Sequence, residues 1–228
     1  FYLQQPNFFG LLEDAAALGE LVHAAGAKFV MGVDPVACAV MKTPGECGAD
    51  IAVGEGQPLG LDTAFGGPYL GFMTAKRELL HRLPGRIVGQ TRDVDGKVGY
   101  VLTLTAREQH IRREKAGSNI CSNEQLCAFT AGAYLSAMGA EGLRQAARLS
   151  MSKAHYLADR LKRAGLPLLY RGEYFDEFVT ACDEKTARAI ERALARAGIL
   201  SGLPVPGGML WCATEVVTRS ELDRAAEL

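Results

Sequence analysis

The stretch LLEDAAALGELVHAAGAKFVMGVDP, residues 11–35, decides the fold class. Its first part, residues 11–25, carries apolar residues at helical spacing. Its second part, residues 28–33, is a short and mostly apolar run that ends before Asp34, as a buried strand does. Because residues 1–4 resemble the end of another strand, the order is strand, helix and strand. This order predicts a parallel sheet with crossover helices.

The rest of the chain continues this mixture of strands and helices. The predicted elements are a strand at 51–53, a loop at 54–72, a hairpin at 86–91 and 99–105, helices at 122–139 and 141–164, a strand at 175–182, a helix at 186–197, a strand at 209–214 and a helix that begins at a capping box of Thr218 and Glu221. They predict an α/β fold in which residues 1–140 belong to a larger sheet domain, residues 141–165 form a linking helix and residues 166–228 form a small α/β domain.

Composition limits the classes of function. The 228 residues are 48% apolar, which is enough for a sizeable core, and 25 Lys and Arg balance 26 Asp and Glu. A net charge of −1 gives no general argument for nucleic acid binding. No apolar run reaches the ~20 residues that a membrane helix needs, and no signal peptide opens the chain. We therefore predict a cytoplasmic protein that binds neither nucleic acid nor membrane.

The cysteines indicate a reducing compartment. Six of them are scattered along the chain, none forms Cys-x-x-Cys, and no Cys and His cluster has zinc-finger spacing. Scattered cysteines of this kind are usually small buried residues. We expect no disulfide and no structural metal.

Asp34 is the first candidate site residue, because it follows a predicted parallel strand. Ligands bind at that edge of open α/β sheets, where a carboxylate can hold a protonated ring nitrogen of a cofactor. The alternative is an Asp that caps a turn ahead of Pro35, and the residues alone favour this alternative about two to one. The nearby stretch GEGQPLG, residues 54–60, does not match a dinucleotide loop, since its glycine spacing is one residue too long.

The densest polar run is REQHIRREK, residues 107–115. Four cations and one His in nine residues can bind a phosphate or a carboxylate. Two glutamates are interleaved, so a solvated face with salt bridges explains the run equally well. The candidate partner-contacting or anion-contacting residues of this basic segment are Arg107, His110, Arg112, Arg113, Lys115, Ser118 and Asn119.

Five motifs resemble the glycine cleavage system P-protein family, and within it the subunit 1 (alpha) chains of the two-subunit bacterial form. They are QQPNFFGLLED (4–14), GADIAVGEGQPLG (48–60), FGGPYLGF (65–72), PGRIVGQTRDVDG (84–96) and LTLTAREQHIRREKAGSNICSNEQL (102–126). The resemblance implies the fold of type I pyridoxal-phosphate (PLP) enzymes and a C-terminal portion of the subunit. Both ends of the sequence lie inside predicted elements, so we expect a piece of a longer chain.

The resemblance also implies an activity and a division of labour. P-proteins decarboxylate glycine with PLP and pass the aminomethyl group to the lipoyl arm of the H-protein. Asp34 falls at the family's pyridine-binding Asp, and Gln57 falls at the position of the Schiff-base Lys, counted back from Pro68. Gln cannot form an imine, so the resemblance implies an alpha subunit without attached PLP, which works with subunit 2. PLP is expected on that partner subunit.

Two other functions stay open from the sequence. One is a self-sufficient PLP-dependent enzyme of the aminotransferase fold, and the other is a purely structural or docking module. For the site itself, we expect Asp34, the loop of Gln57 and the turn at Gly66 and Gly67 to surround one vestigial pocket.

Overall fold

The computed structural model describes residues 1–85, 87–104, 109–116 and 124–228. The α-helices are α1 (Ala15–Ala24), α2 (Gln109–Arg112), α3 (Gln125–Arg163), α4 (Glu184–Arg196) and α5 (Arg219–Glu227). The strands are β1 (Tyr2–Gln5), β2 (Val30–Val33), β3 (Ile51–Glu55), β4 (Gly71–Ala75), β5 (Ile87–Arg92), β6 (Val98–Thr103), β7 (Glu177–Ala181), β8 (Leu203–Val205) and β9 (Gly208–Cys212). Across the described ranges, no helix is long and apolar enough to cross a membrane.

The predicted strand, helix and strand are β1, α1 and β2. The two strands belong to a four-stranded sheet of order β1-β2-β3-β4. The first three strands pair in parallel and β4 is antiparallel to β3. Helix α1 begins where the Asp14 carboxylate accepts the amide of Ala17 at 3.1 Å, an N-cap contact. Its face packs through Ala15 on the buried Phe29 and Met31. The carboxyl ends of β1, β2 and β3 therefore meet at one edge of the sheet.

Strands β5 and β6 form a separate antiparallel sheet, as the predicted hairpin requires. A third sheet, of order β7-β9-β8, packs against the C-terminal part of α3 and against α4, and α5 packs on α3. Helix α3 is interrupted at Gly139, whose φ of 62° and ψ of −179° are not helical. The sequence predicts the end of one helix at this residue. A division into residues 1–140, 141–165 and 166–228 stays our proposal, and the interruption at Gly139 supports it.

Two sequence predictions differ from the structure, and a third lies outside the residues that it describes. The predicted loop at 54–72 contains the start of β4, because pairing with β3 makes Gly71–Ala75 extended although its residues do not alternate. Strand β8 was not predicted, because it has only three residues and its extended form depends on pairing with β9. The expected cap residue Ser122 lies outside the described residues, and α3 is described from Gln125 onward.

The segment after β1 brings the four-stranded and the three-stranded sheets together. The amide of Leu12 donates to the carbonyl of Glu173 at 2.9 Å, and the amide of Phe175 donates to the carbonyl of Gly10 at 3.4 Å. Gly10 approaches the other chain segment so closely that a Cβ at this position would lie 1.9 Å from the carbonyl oxygen of Glu177. The start of β7 is thereby fixed beside the carboxyl edge of the four-stranded sheet.

Asp50 is a buried carboxylate at the opposite edge of that sheet. It accepts the amide of Phe29 at 2.9 Å and the Nζ of Lys76 at 2.9 Å, and it lies 3.0 Å from Nε2 of His23. Burial alone would raise the pKa of Asp50, but these three partners hold it well below its usual range. Asp50 thus connects α1 with the ends of β2 and β4.

Replacing Asp50 by Asn is expected to lower the free energy of unfolding at pH 7 by about 2–4 kcal/mol, because the partner groups lose their charge-assisted bonds. Folding lowers the pKa of Asp50, so its stabilisation is complete above about pH 4, the ordinary Asp pKa, and decreases below it. Urea unfolding should therefore show a difference between the two proteins that is about 1 kcal/mol smaller at pH 3.

The exposed Asp62 supplies the matched control, and its change to Asn should leave stability unaltered. Equal unfolding free energies for the Asp50→Asn variant and the wild type at pH 7 would refute the structural role of Asp50.

Candidate functional site

A cavity of about 540 Å³ lies at the carboxyl edge of β1, β2 and β3. The start of β7 and the end of β9 form its other wall. Its acidic lining residues are Asp34, Glu55, Asp176 and Glu177, and no Lys, Arg or His of the described residues lines it. The cavity is therefore strongly acidic.

Asp34 lines the cavity and also caps a turn. Its Oδ1 accepts the amide of Val36 at 2.6 Å and the amide of Ala37 at 3.1 Å. These bonds start the short 3-10 turn at Ala37–Ala39. The capping alternative thus describes the local structure, while a role of Asp34 toward a cofactor stays a prediction.

Gln57 lines the same cavity, and its side chain is bound within its own loop. The Nε2 of Gln57 donates to the carbonyl of Leu61 at 2.6 Å. Oε1 of Glu55 accepts the amides of Gln57 and Leu70, which closes the loop at its base. Both the backbone N–H and the side-chain Nε2 of Gln57 therefore donate to groups of its own loop.

The turn at Gly66 and Gly67 does not line this cavity, contrary to our expectation. The amide of Gly67 donates to the carbonyl of Ala64 at 3.0 Å, so the turn closes on its own loop. Phe65 beside it is 98% exposed. The glycines here serve the turn itself, since Gly66 has a φ of 94° and no neighbour near its Cβ position.

The basic segment lies elsewhere. The predicted contact residues His110, Arg112, Arg113 and Lys115 are exposed, in α2 and the 3-10 turn that follows it, and none of them lines the cavity. Arg107, Ser118 and Asn119 lie outside the described residues. The structure therefore keeps the described cations of this segment apart from the acidic cavity.

Crowding of carboxylates shifts the proton affinities in the cavity. Burial, with Asp34 and Glu177 close by, raises the pKa of Asp176 to about 7. Burial and Asp34 also raise the pKa of Glu177. Desolvation and the neighbouring carboxylates of Asp176, Glu177 and Asp34 also raise the pKa of the Cys212 thiol, although the residue as a whole is exposed. The site therefore disfavours any further negative charge.

Sequence reasoning missed Asp176, Glu177 and Cys212 as cavity residues. Asp176 precedes β7, Glu177 begins β7 and Cys212 ends β9, so all three lie far along the chain from Asp34. No local spacing connects them with the first strands, and tertiary contacts of residues 10–12 with residues 173–177 place them there.

The residues that line this cavity do not fit PLP. An imine requires a Lys, and the phosphate requires cationic or amide donors, whereas the described lining offers four carboxylates and no cation. No reaction step through PLP is therefore assigned to this chain.

Replacement of Asp176 by Asn is expected to stabilise the protein at pH 8 and to leave it almost unchanged at pH 4. Folding raises the pKa of Asp176 from its ordinary ~3.9, so the charged carboxylate increasingly destabilises the fold as pH rises from about 4 to about 7. Thermal unfolding at pH 8 should show a Tm higher by roughly 2–4 °C, or about 1 kcal/mol. This gain is smaller than the ~4 kcal/mol that the full pKa shift corresponds to, because solvent screens the partly exposed carboxylate. A Tm gain of equal size at pH 4 would show that Asn acts through packing and not through charge.

Comparison with known proteins identifies the family. The profile described as "Glycine cleavage system P-protein" matches residues 1–227. The "Probable glycine dehydrogenase (decarboxylating) subunit 1" of Desulfitobacterium hafniense is 50% identical to this chain over an alignment of 230 positions. The alignment covers 97% of this chain and 51% of that protein. The chain thus spans about half the length of the curated relatives that it matches.

Solved structures confirm the predicted fold class. A crystal structure of glycine decarboxylase (P-protein) of the glycine cleavage system, in inhibitor-bound form, superposes with a TM-score of 0.92 at 44% identity, covering 99% of this chain and 53% of that one. The apo cysteine desulfurase of Thermococcus onnurineus, at 17% identity, shares the fold alone, with a TM-score of 0.63 over 99% of this chain and 57% of that one. The fold is that of the type I PLP-dependent enzymes. Sequence and structure together show that the chain belongs to the glycine cleavage system P-protein family.

Proposed function

We propose that this chain is part of the alpha subunit of a glycine decarboxylase and does not itself attach PLP. It acts with subunit 2 to decarboxylate glycine and to transfer the aminomethyl group to the lipoyl arm of the H-protein. The name of the Desulfitobacterium relative, a subunit 1 of glycine dehydrogenase (decarboxylating), supports this function. PLP is expected on subunit 2, and the complex is expected in the cytoplasm.

One observation carries the proposal. Gln57, at the position where the family's resemblance places the Schiff-base Lys, is bound to the Leu61 carbonyl in a cavity that four carboxylates line. Such a cavity supports neither imine formation nor phosphate binding. This argues against a self-sufficient PLP enzyme as the alternative function.

The basic segment is proposed to contact subunit 2 or an anion held by the complex. Its described cations, Arg112, Arg113 and Lys115, are exposed and lie outside the acidic cavity. Arg binds carboxylate and phosphate in a bidentate manner, which suits an anionic partner surface. The same role is proposed for His110 and, from the sequence alone, for Arg107, Ser118 and Asn119.

The isolated chain is expected to form no stable PLP adduct. Incubation with PLP, borohydride reduction and peptide mass spectrometry should reveal no stoichiometric pyridoxyl-lysine at a unique position. Changing Gln57 to Lys should not create one, because the surrounding carboxylates oppose the phosphate. A stoichiometric adduct on Lys42 or Lys76 of the wild type would overturn the proposed division of labour.

The Arg112→Ala, Arg113→Ala double variant is expected to reduce activity of the assembled complex more than tenfold, a loss above ~1.4 kcal/mol. Glycine–bicarbonate exchange should be measured for subunit 1 carrying this sequence, for subunit 2 and for both together. Neither subunit alone should be active.

A double variant of two exposed cations on α4, Lys185→Ala with Arg192→Ala, matches the charge change and should retain full activity. Full activity of the Arg112→Ala, Arg113→Ala variant would mean that the segment is a solvated face. Equal activity of subunit 2 alone and of the assembled complex would instead indicate a structural module.

A further inference from the structure

The first part of α3 is uncharged although much of it faces solvent. Residues 125–140, QLCAFTAGAYLSAMGA, contain no Asp, Glu, Lys or Arg. Within this uncharged segment, Leu126 is 79% exposed and Phe129 is 73% exposed. A helix that borders solvent normally carries charged residues on its outer face. The uncharged segment therefore has the composition of a helix that is covered on more than one side.

The remainder of the same helix serves as an internal comparison. Its eight charged residues are Glu141, Arg144, Arg148, Lys153, Asp159, Arg160, Lys162 and Arg163. Ion pairs lie along it, including Arg163 with Asp159 at 2.6 Å. Two neighbouring parts of one helix thus have opposite surface chemistry, and the difference does not follow from helix propensity.

The uncharged segment presents two apolar faces. One face is buried in the chain, where Cys127 and Ala131 face the core and Tyr134 packs against Gly60. The second face carries the exposed Leu126 and Phe129, followed by small residues one and two turns later. A Leu and a Phe beside alanines form a surface on which another helix packs closely.

Strand β1 forms an open edge of the four-stranded sheet in the described part of the chain. Among the described strands, β1 pairs only with β2, and it pairs in parallel. Parallel strands normally lie inside covered sheets, and a free edge leaves a row of backbone donors and acceptors unpaired. Phe1 and Tyr2 at this edge are each 56% exposed.

We propose that the second face of the uncharged segment docks the half of the P-protein sequence that this chain does not match, whether that half is joined to the chain or supplied separately. The chain covers 51% of its Desulfitobacterium relative and 53% of the P-protein structure, so about half of a P-protein lies outside this sequence. A unit of that size can cover a helix about 24 Å long and also extend a sheet. The inference rests on family membership and not on the proposed activity.

The chemistry of the occupant follows from the face. It presents apolar side chains and no charge to Phe129, since a charge buried there would find no partner within residues 125–140. A soluble peptide or an acidic protein surface does not meet this requirement. The occupant is therefore a folded, apolar surface.

Cysteine labelling tests the proposal. Phe129→Cys is made both in this chain and in a chimera in which this chain replaces the matching half of the Desulfitobacterium relative. Maleimide modification at residue 129, followed by peptide mass spectrometry, should be at least tenfold slower in the chimera. Leu149→Cys, at a 41% exposed position on the charged part of α3, is the matched control and should react equally in both.

Each alternative occupant has a distinct result. Equal labelling of residue 129 in the two proteins overturns the proposal. Protection that appears in this chain alone at high concentration assigns the face to a second copy, and protection that requires added subunit 2 assigns it to that subunit. As a second measurement, Phe129→Asp should lower the Tm of the chimera while Leu149→Asp leaves it unchanged, and equal Tm losses also overturn the proposal.

Discussion

The close approach of Gly10 to the carbonyl of Glu177 is the constraint on which the site depends. A Cβ at residue 10 would lie 1.9 Å from that oxygen, and the φ of Gly10 is 81°, so only glycine fits in space and in conformation. This contact holds the start of β7 against the carboxyl edge of the first sheet and brings Asp176 and Glu177 toward Asp34. The crowded carboxylates and the raised pKa of Asp176 follow from this backbone contact with Gly10, a residue far from them in sequence.

The acidic cavity and the basic segment lie apart in this arrangement, which is compatible with the proposed function. The place where this fold exposes the carboxyl ends of parallel strands is acidic in this chain, whereas the described cations of the basic segment lie outside it. An anion is therefore repelled by the cavity and attracted by the segment. The charge distribution therefore disfavours anion binding in the cavity and is consistent with the anion contact that we propose for the basic segment.

The sequence predicted those parts of the molecule that local chemistry determines. The apolar run before Asp34, the helix stops and the capping box at Thr218 and Glu221 each report a local backbone state, and they agree with the structure. The cavity walls, the strand β4 and the cluster around Asp50 depend on contacts between distant segments. His23 is an example, because its carboxylate partner is 27 residues away and no helical spacing relates the two. The resemblance placed Gln57, but its bond to Leu61 required coordinates.

Helix α3 shows how composition records the surroundings of a helix when its backbone does not. Its backbone is interrupted at Gly139, and the charge pattern changes within two residues of the same point, from none in the uncharged segment to eight charges in the remainder. The part after Gly139 packs on the three-stranded sheet through one face and is solvated on the other, which matches its ion pairs. The part before Gly139 packs through one face only, yet it carries no charged residue on its exposed side. A sequence selected under burial on both sides explains this combination, because an exposed helix gains nothing from lacking charge.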